Sequence, residues 1–150
     1  MRILNFGSLN IDYVYRVGQI ARPGQTINGR SFEVFAGGKG ANQSVALAKA
    51  NAHVVHAGRV GPEGRWLLEK LRDFGVDTSH VRIDDNSRTG HAIIQIDDCG
   101  ENAIVLFPGA NRRIDRLQID TTLNHFGRED VLLLQNEINE IPYLIEAGRA

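Results

Sequence analysis

Residues 37 to 50, Gly-Gly-Lys-Gly-Ala-Asn-Gln-Ser-Val-Ala-Leu-Ala-Lys-Ala, are the most informative stretch of this sequence. The stretch opens with glycines and continues with alanine and leucine, which are strong helix formers. It therefore predicts a glycine loop that leads directly into a buried helix of small residues. A backbone without side chains can approach a ligand closely, and the N–H groups at a helix N-terminus attract anions or hydroxyl oxygens. A ligand-binding loop and a structural tight turn are both open on this stretch alone.

Two common nucleotide-binding loops are excluded at this position. A Walker A loop needs Gly where Glu33 stands, and it needs Ser or Thr after the lysine, where Gly40 follows Lys39. A dinucleotide-binding loop needs a third glycine, which the segment 38–43 lacks, and it follows the first strand of its fold. The glycine loop here follows the third predicted β segment, so this reading fails as well.

The elements around the loop alternate between strand and helix patterns. In chain order they are strands 3–6, 13–17 and 31–35, the helix from 41 to 50, strand 53–60, helix 63–74, strands 91–96 and 103–107 as a hairpin, helix 114–126, strand 131–134 and a helix from 141 onward. Regular alternation of strand and helix implies a mostly parallel sheet with helices on its faces. The strands that interrupt the alternation predict a separate, small antiparallel sheet.

Composition bounds the classes of function. The 150 residues are 42% hydrophobic and 23% charged with a net charge of −1, which predicts one globular domain and gives no overall field for nucleic acid or an anionic membrane. The N-terminal residues 1–7 are not expected to act as a signal peptide, because their apolar run is short and soon interrupted, and no apolar run is long enough to predict a membrane span. The lone Cys99 cannot form an internal disulfide, so a cytoplasmic location is expected.

Polar residues follow two of the predicted buried strands. Asn10 and Asp12 lie two apart after the first strand, so an extended chain would point both to one face, where a carboxamide and a carboxylate suit paired sugar hydroxyls. Glu137 follows the apolar strand 131–134, at the strand end where open α/β sheets bind ligands. Turn chemistry for the first pair and an ordinary surface glutamate for Glu137 are the alternatives.

No metal site and no nucleophile are predicted. His53 and His56 are three apart on a strand and therefore face opposite ways, and the five histidines are interpreted as ordinary core or surface residues. The pairs Asp84-Asp85 and Asp97-Asp98 lie in turn-like segments without a third ligand at a useful spacing. No Gly-x-Ser-x-Gly motif occurs.

Five short motifs stand in a definite order along the chain. They are Gly7-Ser8-Leu9-Asn10-Ile11-Asp12, Pro23-Gly24-Gln25-Thr26, Gly37-Gly38-Lys39-Gly40-Ala41-Asn42-Gln43, Pro108-Gly109-Ala110-Asn111 and Leu134-Gln135-Asn136-Glu137. In this order and spacing they resemble the N-terminal half of the PfkB, or ribokinase-like, carbohydrate kinase family, over the whole chain. Two positions depart from the family pattern: Asn51 stands where Gly or Ser is usual, and the turn Gly61-Pro62-Glu63-Gly64 is shorter than in many members.

The resemblance implies a ribokinase-like α/β fold whose C-terminal half is missing. The interrupting strands, near 10–17, 25–36, 89–97 and 103–107, would then form a small antiparallel β lid that covers the sugar and serves as a homodimer surface. By the same resemblance Asn10 and Asp12 would hold ribose hydroxyls, Glu137 would accept another, and the loop from Gly38 to Asn42 would wrap the sugar. The substrate-binding residues implied are Asn10, Asp12, Gly38, Lys39, Gly40, Ala41, Asn42 and Glu137.

The family reaction transfers the γ-phosphoryl group of Mg-ATP to the terminal hydroxyl of the sugar. Its base is an Asp in a Gly-Ala-Gly-Asp motif that this sequence lacks, so no catalytic residue is assigned. The family's ATP pocket and monovalent-cation (K⁺) site also come from the C-terminal half. Two hypotheses follow. The chain is either part of a ribose kinase or a non-catalytic fragment that binds sugar and dimerises. If it belongs to a kinase, fructose, another ketose or a nucleoside is the alternative substrate. An exposed apolar surface near Val131 to Leu134 is predicted where the missing half would pack.

Overall fold

A computed structural model describes residues 1–149 as two sheets and four α-helices. The strands are Ile3–Phe6 (β1), Asn10–Val17 (β2), Gly29–Gly37 (β3), Val54–Val60 (β4), Asp77–Ile83 (β5), Gly90–Ile96 (β6), Asn102–Phe107 (β7) and Val131–Leu134 (β8). The helices are Lys39–Lys49 (α1), Arg65–Asp73 (α2), Arg116–Leu123 (α3) and Ile141–Ala147 (α4). Short 3₁₀ turns cover Pro62–Gly64 and Gly109–Arg112.

The main sheet has the order β5-β4-β1-β8, and all its strands are parallel. Both faces are covered, because neighbouring residues of β4 point into different hydrophobic clusters. Val54 and Val60 pack with α1 and α2, whereas Val55 and Ala57 pack with α3 and α4. Burial on both faces explains the nearly continuous apolar runs of β1 and β4. The predicted parallel sheet flanked by helices is confirmed.

Strand β5 was not predicted from the sequence. It pairs only with β4 and forms the edge of the main sheet, so it buries little apolar surface. Its first four residues, Asp-Thr-Ser-His, are polar, and only Thr78 and Val81 are buried. Helix α3 is also shorter than the predicted range 114–126, and the first residues of the predicted helix 63–74 form a 3₁₀ turn.

The second sheet has the order β3-β2-β6-β7 and is mixed, which corrects the expectation of a purely antiparallel sheet. β2 and β6 each pair antiparallel with the strand that follows them, but they pair parallel with each other. The reason is that β2 follows β1 and β6 follows β5. Because β1 and β5 are parallel, the chain leaves the same edge of the main sheet in the same direction both times, and β2 and β6 run parallel. Strand β3 begins at Gly29 rather than near residue 25, because the preceding residues lie in an unpaired turn.

Strand β8 is the other edge of the main sheet, where it pairs with β1 alone. Val131 is exposed, and Leu132, Leu133 and Leu134 are half-buried. No helix within residues 1–149 is long and apolar enough to cross a membrane.

Candidate functional site

The predicted site residues meet at the carboxyl edge of the main sheet. β1 and β8 are parallel neighbours, so Gly7-Ser8 after β1 and Gln135-Asn136-Glu137 after β8 emerge side by side. The second sheet begins at the same edge with Asn10, and β3 returns there to deliver the glycine loop. Topology therefore brings Asn10, Asp12, the loop and Glu137 together, as the strand-end rule for open α/β sheets predicts.

The glycine loop passes very close to the turn after β1. A Cβ atom on Gly40 would lie 2.4 Å from the backbone nitrogen of Ser8, and Gly38 has a φ of 96°, which favours glycine. The Gly40 N–H donates to the Ser8 hydroxyl at 3.1 Å, and the Ala41 N–H donates to the Ser8 carbonyl at 2.9 Å. Glycine is thus required where two backbones touch.

Glu137 binds the N-terminus of α1. Its Oε2 accepts hydrogen bonds from the Ser8 hydroxyl at 2.6 Å and from the Lys39 N–H at 3.0 Å, while the Lys39 ammonium pairs with Oε1. Burial alone would raise the pKa of Glu137, but the hydrogen bonds from Lys39 and Ser8 outweigh it and hold the pKa below its ordinary value. The N–H groups that the loop was expected to offer a ligand are therefore occupied: the Lys39 N–H donates to Glu137, and the Gly40 and Ala41 N–H groups donate to Ser8.

Asn10 is buried and is oriented by Asn111. Its Oδ1 accepts from Asn111 Nδ2 at 2.7 Å, so among the described residues only its Nδ2 amide remains without a partner. Asn111 also accepts from the Leu9 N–H at 3.0 Å and donates to the Leu9 carbonyl at 3.2 Å. Asn10, Asn111, Leu106 and Glu137 line a small cleft of about 150 Å³.

Asp12 faces the same region from β2. Its carboxylate lies against Gly37, where a Cβ would come within 2.1 Å of Oδ2. Burial raises the pKa of Asp12 above its ordinary value, and the nearby negative charge of Glu137 raises it further. The two carboxylates are thus electrostatically coupled across the site.

The charge of Glu137 should affect the pKa of Asp12 measurably. Replacing Glu137 by Gln removes the negative charge that disfavours ionised Asp12, so the pKa of Asp12 should fall toward its ordinary value. A carbon-detected NMR titration of the aspartate carboxyls checks this. Glu140→Gln is the matched control, because Glu140 pairs with Arg116 instead. An unchanged Asp12 pKa in Glu137→Gln would contradict the coupling.

The remaining loop residues are placed differently from one another. The Ala41 side chain belongs to the hydrophobic core beside α2, so only its backbone is available at the site. Asn42 and the Lys39 side chain are exposed, and the Asn42 side chain has no hydrogen-bond partner among residues 1–149.

Two residues with clear positions at the site were not singled out from the sequence. Ser8 bridges Gly40 and Glu137, and Asn111 holds Asn10. Both stand in the five motifs, which were the available signal. Their roles depend on partners 129 and 101 residues away, respectively.

A buried polar network lies under the glycine loop. Asn5 donates to the Gly40 carbonyl and to the Ser44 hydroxyl, both at 2.8 Å, and Ser44 lies 2.8 Å from His56 Nδ1. Gln135 donates to Asn5 at 2.6 Å. Burial lowers the pKa of His56 to about 4, so this imidazole is neutral at physiological pH.

Within residues 1–149 no cluster of three or more His, Cys, Asp or Glu side chains could hold a metal ion.

An open parallel sheet with a second sheet at its carboxyl edge defines an α/β fold of the class that binds ligands at that edge, where this chain carries carboxylate and amide side chains. Residues 2–140 match the pfkB family carbohydrate kinase. The chain belongs to the pfkB family of carbohydrate kinases.

Several relatives are ribokinases. The ribokinase of Haemophilus influenzae is 35% identical over 133 residues, which are 87% of this chain and 44% of that protein. The ribokinase of Cryptococcus neoformans, solved in complex with ADP, superposes with a TM-score of 0.85 at 39% identity over 99% of this chain and 47% of that one. The ribokinase of Arabidopsis thaliana, complexed with ribose and ATP, gives a TM-score of 0.81 at 29% identity over 98% of this chain and 49% of that one. This chain spans about half the length of the relatives it matches.

Proposed function

We propose that this chain is the sugar-binding half of an ATP-dependent kinase that phosphorylates ribose on its terminal hydroxyl. The observation that carries the proposal is that the Glu137 carboxylate and the free amide of Asn10 line one small cleft, while the Asp12 carboxylate lies close enough to Glu137 to be coupled to it electrostatically. Carboxylates accept hydrogen bonds from hydroxyls, and an amide N–H donates to a hydroxyl oxygen. The ribokinases named above support ribose as the substrate.

Each side chain has a distinct task in this proposal. Asp12 and Glu137 accept hydrogen bonds from ribose hydroxyls, and Asn10, fixed by Asn111, donates a hydrogen bond to a third oxygen. The backbones of Gly38, Gly40 and Ala41 shape the wall of the site, where Asn42 adds a polar side chain. Lys39 releases its ion pair with Glu137 when a hydroxyl takes that position, which leaves an ammonium free beside the sugar.

Phosphoryl transfer needs parts that this chain does not supply. ATP supplies the γ-phosphoryl group, and the base, the nucleotide pocket, Mg²⁺ and a monovalent cation such as K⁺ are assigned to the remaining half. The residues described here hold and orient the sugar. The second sheet acts as a lid that shields the bound sugar from water, with its strands at Asn10–Val17, Gly29–Gly37, Gly90–Ile96 and Asn102–Phe107.

The same sheet is proposed to form a homodimer. It carries large exposed apolar side chains, among them Phe32, Ile104, Val105 and Phe107, and such a patch marks an interaction surface. Sedimentation of the chain and of Val105→Asp tests this, and an identical monomeric mass for both would contradict it.

A reducing cytoplasm is proposed as the location, since the single Cys99 is a free, exposed thiol.

A phosphotransfer assay tests the function. The 150-residue chain with Mg-ATP and ribose should form no ribose phosphate, whereas the longer protein with both halves should favour ribose over fructose, other ketoses and nucleosides. In that longer protein Asp12→Asn should lower kcat/KM about 100-fold, as expected for losing charged hydrogen bonds to the sugar. Asp73→Asn, at an exposed position at the end of α2, is the control. Ribose phosphate made by the 150-residue chain alone would contradict the proposal that the remaining half is needed for phosphoryl transfer.

A further inference from the structure

The polar network beneath the glycine loop ends at a residue that the sugar site does not touch. His56 lies on β4 and is fully buried. It contacts Ser44 of helix α1, which follows the glycine loop, and Gly7 in the turn after β1. We propose that His56 is a positioning residue that holds the glycine loop in its sugar-binding conformation through Ser44 and Asn5. The inference rests on the proposed function only in taking sugar as the ligand of the loop.

The hydrogen bonds from Asn5 through Ser44 to His56 fix which group donates and which accepts at each step. Asn5 Nδ2 donates to the Ser44 hydroxyl, so the single proton of that hydroxyl is left to donate to His56 Nδ1. With Nδ1 as the acceptor, the neutral ring carries its proton on Nε2, which lies 3.3 Å from the Gly7 carbonyl. The partners therefore select one tautomer of a neutral His56.

His56 also decides which group bonds the Gly40 carbonyl. Ser44 lies four residues after Gly40 on α1, and a serine hydroxyl in a helix commonly donates back to the carbonyl four residues earlier. In this structure the hydroxyl donates to His56 instead, and Asn5 donates to the Gly40 carbonyl at 2.8 Å. Without an acceptor at position 56, the Ser44 hydroxyl would compete with Asn5 for that carbonyl.

Both backbone polar groups of Gly40, the N–H and the carbonyl, are hydrogen-bonded as a result. Its N–H donates to the Ser8 hydroxyl, which itself donates to Glu137, and its carbonyl is bound by Asn5. His56 contacts these hydrogen-bonded groups at two points. Its Nδ1 accepts from the Ser44 hydroxyl, and its Nε2 lies against the carbonyl of Gly7, the residue before Ser8. A change at His56 should therefore alter the loop and the Glu137 carboxylate together.

Two readouts on the 150-residue chain test the proposal. One is amide hydrogen exchange at Gly40 and Ala41 relative to Leu4 of the central strand β1, and the other is the dissociation constant for ribose. His56→Phe keeps most of the volume but removes both ring nitrogens, whereas His56→Asn keeps an oxygen near the Nδ1 position. His53→Phe, at an exposed site just before the same strand, is the control.

In His56→Phe, exchange at Gly40 should rise about 10-fold relative to Leu4 and ribose should bind about 10-fold more weakly, the factor that one net hydrogen bond supplies. His56→Asn should recover most of both effects, and His53→Phe should show neither. Should His56→Phe fail to fold, His56→Leu serves instead, because it removes the same two ring nitrogens while leaving the Ser44 hydroxyl in place, and it should give the same local increase. Unchanged relative exchange at Gly40 in the folded variant overturns the proposal. Absence of ribose binding by the unmodified chain overturns the proposed function instead, while the exchange comparison still decides the role of His56.

Discussion

Replacing Gly40 by alanine is expected to destabilise the fold by about 3 kcal/mol, at the upper end of the usual cost of overpacking, and to abolish ribose binding. The added Cβ would lie 2.4 Å from the Ser8 nitrogen and 2.7 Å from the Gly7 carbonyl carbon and Cα. These atoms are backbone in a buried turn, so the clash cannot be relieved by a side-chain rotation. The loop must move away from Ser8, and the position of Glu137 is lost with it because Ser8 bridges the two.

Urea unfolding and ribose titration measure the two effects of Gly40→Ala. Gly127→Ala is the matched control, because a Cβ at Gly127 meets no atom within 4 Å. The control should change the free energy of unfolding by less than about 0.5 kcal/mol, as surface substitutions usually do. Equal stability of the two variants would show that the contact between the loop and the turn is looser than described.

Asn111→Ala is expected to cost about 4 kcal/mol and to weaken ribose binding strongly. Alanine leaves three buried polar groups without partners, namely the Leu9 N–H, the Leu9 carbonyl and Oδ1 of Asn10. A buried polar group left unsatisfied costs about 1–3 kcal/mol, so the combined loss is large. Asn10 would also be free to rotate, and its donor amide would no longer point reliably into the cleft.

The control for Asn111 is Asn28→Ala, since Asn28 is exposed and its side chain makes no hydrogen bond within residues 1–149. Chemical denaturation should separate the two variants clearly. A loss below 1 kcal/mol at Asn111 would mean that water replaces its hydrogen bonds.

The main sheet could be predicted because its central strands are buried on both faces and therefore read as apolar runs between helices. Strand β5 could not, because an edge strand with one neighbour tolerates the polar run Asp77 to His80. The mixed order of the second sheet depends on two parallel strands, β1 and β5, and one of them was missing from the prediction.

The candidate site shows a similar division. Asn10, Asp12 and Glu137 could be located because each lies next to a strand end at one edge of the sheet. The pairing of Lys39 with Glu137 could not be predicted, because the two residues are 98 positions apart and the sequence does not show what the Lys39 side chain contacts. His56 was interpreted as an ordinary histidine, since nothing near it in sequence indicates that Ser44 and Gly7 would be its partners.

Isothermal titration of D-ribose into the 150-residue chain measures whether this half of the fold binds the sugar. We expect saturable heat of binding at millimolar ribose and none in the Asp12→Asn variant. A folded chain that gives no heat with ribose at these concentrations, or an Asp12→Asn variant that binds as tightly as the unmodified chain, would contradict it.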